Sequence, residues 1–183
     1  MKVLTLLAPG FEDLEALGTV ALLRRAGMDV VLCSANNTER VSGKYNITVT
    51  CDLKMEDVLV DDYDLLFLPG GMPGVDNLYN NKRVREIIDE FWKKDKDFAA
   101  ICAAPSILGR MGILKDKDYT CFPGFEKYAQ DGRYTGTSVT TSEKVITGKA
   151  AGSVHDFALA IIERYLGKEK KEQVKQSIYY QCE

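Results

Sequence analysis

The chain has 183 residues, 45% hydrophobic and 28% charged, with 24 basic against 27 acidic side chains and a net charge of −3. That balance suits one domain, residues 1–183, with a sizeable core, and it carries no basic footprint for nucleic acid. No apolar run approaches the ~20 residues that span a bilayer. The five cysteines (33, 51, 102, 121 and 182) lack CxxC spacing, which argues against a disulfide framework or zinc site and for a reducing cytoplasm.

Lys2–Ala8 reads as a buried first strand, its apolar run being too short for a signal peptide. Pro9-Gly10 turns the chain into a helix over 12–26, ended by Gly27. Asp29–Ser34 is a second apolar strand. Val41–Thr50 is polar with Ile47 and Val49 alternating, which predicts a small antiparallel excursion. Asp64–Leu68 is a third strand, closed by Pro69-Gly70-Gly71. Val84, Ile87, Ile88 and Phe91 recur at helical spacing and predict a helix over 82–94. Asp97–Ile101 is a further strand, and residues 116–142 are turn-rich. Val145–Gly148 is a late strand. The periodic set from Val154 to Leu166 predicts a long amphipathic helix, and the charged stretch Lys168–Ser177 predicts a surface helix. Strands alternating with helices imply an α/β fold with a doubly wound, mostly parallel sheet and helices on both faces.

The stretch Phe98–Pro105 (Phe-Ala-Ala-Ile-Cys-Ala-Ala-Pro) runs an apolar strand straight into Cys102. Small residues follow, as a sharp strand-to-helix turn requires, and Pro105 suits a first helical turn. This is the pattern of a nucleophile elbow, with cysteine where hydrolases place serine. A helix N-terminus beside the sulfur is expected to favour thiolate over thiol. A buried packing cysteine at a strand end fits the same local pattern.

In a parallel sheet the strand ends converge on one edge, where ligands bind. That brings Pro9–Glu15, Pro69–Pro73 and Cys102–Pro105 together. Gly70 and Gly71 leave backbone N–H groups unshielded, and with the Ala103 N–H they form a candidate cradle for an oxyanion; a plain Gly-Gly turn is the other reading. Glu12 and Asp13 are acids of a first helical turn, as the dipole favours. Glu15 has apolar neighbours; burial would keep it protonated, able to donate to a thiolate and shuttle a proton.

The runs Phe-Glu-Asp-Leu-Glu-Ala (11–16), Leu-Pro-Gly-Gly-Met-Pro-Gly (68–74), Ala-Ala-Ile-Cys-Ala-Ala-Pro (99–105) and Phe-Ala-Leu-Ala-Ile-Ile (157–162) occur in this order along the chain. They resemble the ThiJ/PfpI superfamily, nearest its Parkinsonism-associated deglycase branch. Members are often labelled thiazole-monophosphate biosynthesis proteins, a label that carries no mechanism. The resemblance implies a flavodoxin-like (class I glutamine amidotransferase-like) sandwich and a homodimer. It implies Cys102 as the nucleophile, Glu15 as a protonated carboxyl bonded to it, and Gly71 and Ala103 as oxyanion-hole amides. It also implies glyoxalase or deglycase chemistry on small carbonyls without metal or organic cofactor, chaperone activity, and oxidation sensing through a cysteine sulfinate.

Three departures stand out. The branch's histidine after the nucleophile falls at Phe122, and the protease-like branch's histidine falls at Ala103, so a Cys-His pair and a peptidase reading are both weakened. An arginine of the branch falls at Tyr45. The only histidine, His155, follows the 150–153 loop, which borders the site or dimer interface in relatives; it is a candidate pocket residue with Gly70, Phe122 and Tyr45. Cys33 and Cys51 read as packing residues, Cys121 as a neighbour of the cleft, and Cys182 as part of a frayed tail without a role. Three readings follow. They are a carbonyl-converting enzyme, a redox-responsive protein or chaperone with little turnover, and an ester or amide hydrolase lacking an obvious general acid.

Overall fold

The computed structural model describes residues 1–180, so Cys182 lies outside the described residues. The chain runs β1 (Lys2–Leu7), α1 (Asp13–Arg25), β2 (Asp29–Ser34), β3 (Arg40–Ser42), β4 (Thr48–Thr50), β5 (Leu53–Lys54) and β6 (Leu65–Leu68). It continues through α2 (Gly74–Asn80), α3 (Lys82–Lys93), β7 (Asp97–Ile101), α4 (Pro105–Arg110), β8 (Asp118–Tyr119), β9 (Arg133–Tyr134), β10 (Val139–Thr141), β11 (Val145–Gly148) and α5 (Val154–Ser177).

Seven strands form one sheet in the order β10-β11-β7-β6-β1-β2-β5. Every pairing is parallel except β10 with β11. The two-residue side-chain period of a strand divides the core into two layers. Leu4 and Leu6 of β1, Leu66 and Leu68 of β6, and Phe98 and Ala100 of β7 face one layer with Val84, Ile87, Ile88 and Phe91 of α3 and Ile107 of α4. Val3 and Leu7, Leu65 and Phe67, and Ala99 and Ile101 face the other, with Ala16, Val20 and Leu23 of α1 and Phe157, Ala158, Ile161 and Ile162 of α5. Helices therefore cover both faces, in a flavodoxin-like α/β arrangement.

The structure departs from the sequence expectations mainly in short elements. α2 buries only Val75 and Leu78 beyond its first residue, too few turns to show a period. The turn-rich region 116–142 contains β8, β9 and β10, none longer than three residues. The helix expected over 12–26 starts at Asp13, because Glu12 is its cap: the Glu12 carboxylate accepts the Glu15 N–H at 2.6 Å. The two C-terminal helices are one run interrupted at Gly167, whose φ of +85° no helix accommodates. The charged second half is not wholly a surface helix, since Val174 is buried in the α1–α5 layer.

Candidate active site

The carboxyl ends of β1, β6 and β7 deliver three loops to one edge of the sheet. Backbone bonds tie the first two together. The Glu12 N–H donates to the Gly70 carbonyl at 2.8 Å, and the Gly74 N–H to the Gly10 carbonyl at 3.2 Å. The third loop is the elbow. Cys102 has φ +64°, a left-handed conformation that costs a non-glycine residue about 1–3 kcal/mol. Its neighbours hold it there: the Cys102 N–H donates to Gly148 O at 2.9 Å, and Cys102 O accepts the Phe122 N–H at 2.8 Å.

Glu15, in the first turn of α1, is 1% exposed. Its Oε2 accepts the Gly70 N–H at 3.1 Å, and its carboxyl is hydrogen-bonded to the Cys102 thiol. Gly70 is required for this approach, because a Cβ there would stand 2.4 Å from Glu15 Oε2 and 2.6 Å from Cys102 Cβ. Gly71 has φ +92°, and a Cβ on it would lie 2.3 Å from the Glu12 nitrogen. The backbone N–H groups of Ala103 and Gly71 both bond to the Cys102 sulfur.

Burial pushes the Glu15 carboxyl up to about 7, with the Glu12 charge adding to the rise and the Cys102 and Gly70 hydrogen bonds and Lys44 opposing it. Burial, followed by the Glu15 charge and hydrogen bond, pushes the Cys102 thiol well above its ordinary range, against the pull of the Ala103 and Gly71 N–H groups. This corrects the expectation that a helix N-terminus makes Cys102 a thiolate. α4 has only six residues and begins at Pro105, so a desolvated sulfur beside an acid outweighs its dipole. The two groups titrate as a pair. When one proton remains and sits on Glu15, the carboxyl donates to a thiolate that also receives two N–H bonds.

Cys102 opens into a cavity of about 310 Å³. Its walls are Glu12, Lys44, Tyr45, Met72, Phe122 and Phe125, with Ala150, Ala151 and Gly152 opposite. Tyr45 and Phe122 thus stand at the cavity; Gly70 lies behind the Cys102–Glu15 contact. His155 does not reach it. It is exposed on α5 and stacked on Tyr180, with ring centroids 4.8 Å apart and planes 9° apart. Cys121 is likewise outside the cavity, buried in the core, where desolvation pushes its thiol up to about 12. Cys33 is fully buried on β2 with its thiol pushed up to about 12, and Cys51 is half-buried at about 11, both by desolvation.

Lys44 and Phe125 are cavity residues that sequence reasoning did not identify, while Met72 belongs to the Pro69–Pro73 segment expected there. The loop bearing Lys44 is pinned by Asp13, which is 4% exposed and whose Oδ2 accepts the Tyr45 N–H at 2.8 Å. Gly43 permits this, because a Cβ there would lie 2.2 Å from Asp13 Oδ1. A second bond, Lys44 N–H to Phe11 O at 2.7 Å, completes the anchor. The glycine beside a Lys-Tyr pair in a predicted hairpin was the available signal. Among the described residues no group of three or more His, Cys, Asp or Glu is placed to hold a metal ion.

The model of the DJ-1/PfpI family matches residues 1–164. The chain is 32% identical over 178 residues to the Parkinson disease protein 7 homolog of Danio rerio, covering 95% of this chain and 94% of that one. It is 35% identical over 178 residues to protein DJ-1 homolog B of Arabidopsis thaliana, covering 94% of this chain but only 40% of the relative's length. Among solved structures, that of oxidized Toxoplasma gondii DJ-1 is 30% identical with a TM-score of 0.92, covering 99% of each chain.

Proposed function

We propose that this chain, which belongs to the DJ-1/PfpI family, is a cysteine-dependent enzyme that converts small reactive carbonyls such as methylglyoxal to hydroxy acids. The observation that carries this reading is one juxtaposition. A buried carboxyl raised to about 7 is bonded to a thiol, and two backbone N–H groups meet the same sulfur at the mouth of a cavity.

The Cys102 thiolate adds to the aldehyde carbon, and the carbonyl oxygen takes a proton from Glu15 to give a hemithioacetal. As charge develops on that oxygen, the Gly71 and Ala103 N–H groups turn from the neutralised sulfur to the oxyanion. Glu15 then removes the proton from the former aldehyde carbon while the adjacent ketone oxygen takes up the proton of the new hydroxyl. Glu15 returns its proton to the adjacent carbon, so that the first carbon becomes the thioester carbonyl and the second a hydroxyl-bearing carbon. Water hydrolyses the thioester, releasing lactate and regenerating the thiol. A carboxyl titrating near neutrality suits both halves of this relay. Phe122 offers no proton, so Glu15 carries the transfers alone. The reaction needs no metal or organic cofactor. We assign a homodimer in a reducing, cytoplasmic compartment; the four described cysteines are all free, in keeping with that setting. Among the described residues no helix is long and apolar enough to cross a membrane.

The test is lactate formation from methylglyoxal by reduced protein, beside Cys102→Ser and Glu15→Gln. Lactate that disappears in both variants supports the relay. Its absence from wild type with a free thiol overturns the substrate. A second reading, redox response with little turnover, draws on the partly buried Cys102 at the cavity and the two N–H groups that would receive sulfinate oxygens. Selective peroxide oxidation of Cys102 without carbonyl turnover would favour it.

A further inference from the structure

Beside the cavity, the fold carries a stack of cations and aromatic rings that the carbonyl chemistry does not use. Arg110 ends α4. Its guanidinium carbon lies 3.9 Å from the ring centroid of Tyr128 and 4.5 Å from that of Tyr79. Tyr79 belongs to α2 and Tyr128 to a single turn at 126–128, so three separate segments converge on one side chain. Two more cations extend the stack. Arg85 stands 5.7 Å from the Tyr79 ring and donates to the Tyr79 carbonyl, and Lys127 stands 5.1 Å from the Tyr128 ring.

Among the described residues, none of Arg85, Arg110 and Lys127 forms an ion pair. Arg110 Nε is buried and has no hydrogen-bond partner. The outer guanidinium nitrogens, which are not among the buried atoms, have none among the described residues either and are the donors open to a ligand. A guanidinium directs its five donors along its edges, so contact with the ring faces satisfies none of them. A buried donor left unpaired costs about 1–3 kcal/mol. Contact with two rings also restricts the side chain in advance, so holding it for a ligand carries less entropic cost. The guanidinium's donors lie in its own plane, an arrangement that suits oxyanions. Arg85 shares one ring with Arg110 and Lys127 shares the other, which sets positive charge on both sides of it.

We propose that Arg110, flanked by Arg85 and Lys127, binds a small soluble polyanion that carries phosphate groups. None of the three residues lines the Cys102 cavity. The site does not depend on carbonyl conversion being the function.

The experiment titrates inorganic pyrophosphate into the full chain at constant ionic strength. Calorimetry gives the affinity, and nuclear magnetic resonance follows the Arg110 Nε–H signal. Saturable binding is expected, with movement of that signal. Arg110→Gln is expected to weaken it about tenfold or more and Arg85→Gln about threefold, in line with loss of charge-assisted bonds. Lys44→Gln, in the cavity wall, is expected to leave it unchanged. Absence of saturable binding to wild type overturns the proposal. So does unchanged affinity in Arg110→Gln, or loss in Lys44→Gln instead, which would place the anion in the cavity. Should Arg110→Gln fail to fold, the wild-type Nε–H signal and Arg85→Gln decide: an unmoved signal or undiminished affinity overturns the proposal.

Discussion

Glu15→Gln should change how stability depends on pH, by an amount the structure sets. The Glu15 carboxyl rises from 4.5 to about 7 on folding, chiefly because burial disfavours its charged form. Between those values the folded protein holds a proton that the unfolded chain has released, so raising the pH favours unfolding. Below 4.5 both states hold the proton and the penalty vanishes; above about 7 both have lost it and the penalty is constant. At about 1.36 kcal/mol per unit, Glu15 alone should cost the wild type about 2.5 kcal/mol between pH 5 and pH 8. Glutamine keeps the shape and an acceptor for the Gly70 N–H but does not titrate. Any fixed cost of the substitution cancels when its effect at pH 5 is compared with its effect at pH 8. The Cys102–Glu15 pair keeps its second proton in the fold across this window, whichever group holds it, and a free thiol titrates near the window's upper end, so the thiol adds little. The assay is urea unfolding of both proteins at the two pH values. The variant is expected to gain about 2.5 kcal/mol relative to wild type on going to pH 8, a large share of a domain's ~5–15 kcal/mol. A difference that stays constant within ~0.5 kcal/mol would refute the claim that the fold desolvates this carboxyl.

Two substitutions probe the surroundings. Gly70→Ala puts a methyl group 2.4 Å from Glu15 Oε2 and 2.6 Å from Cys102 Cβ, so the carboxyl must leave the sulfur; a loss of about 1–3 kcal/mol in urea unfolding is expected, with lactate formation reduced at least about tenfold. His155→Ala removes an exposed ring stacked only on Tyr180 among the described rings, so kcat/KM should stay within about twofold and stability within about 1 kcal/mol; a large drop in kcat/KM would mean the cavity extends to α5.

What the sequence determined by itself is what short-range chemistry dictates. Buried strands announce themselves as apolar runs, which is why Asp29–Ser34, Asp97–Ile101 and Val145–Gly148 have the same limits in both readings. α3 shows its face through Val84, Ile87, Ile88 and Phe91. The elbow pattern showed in the small residues and proline around Cys102, whereas Glu15 gave only a weak signal as an acid among leucines and an alanine, and its pairing with Cys102 came from the family resemblance. The tertiary structure alone decided how these pieces meet. Glu15 and Cys102 lie on different elements, and their contact depends on Gly70, from a third, leaving room between them. The same contact reversed the expectation of a free thiolate, since desolvation is a property of the packed site and not of the residues following the cysteine. Lys44 reaches the cavity only because a buried Asp13 holds its loop, and His155 misses it because the helix turns that position outward onto Tyr180. Arg110 has no local pattern at all; Tyr79 and Tyr128 approach it from distant parts of the chain. Periodicity and turn chemistry act over a few residues, whereas the environment of a charge is set by whatever the fold brings against it.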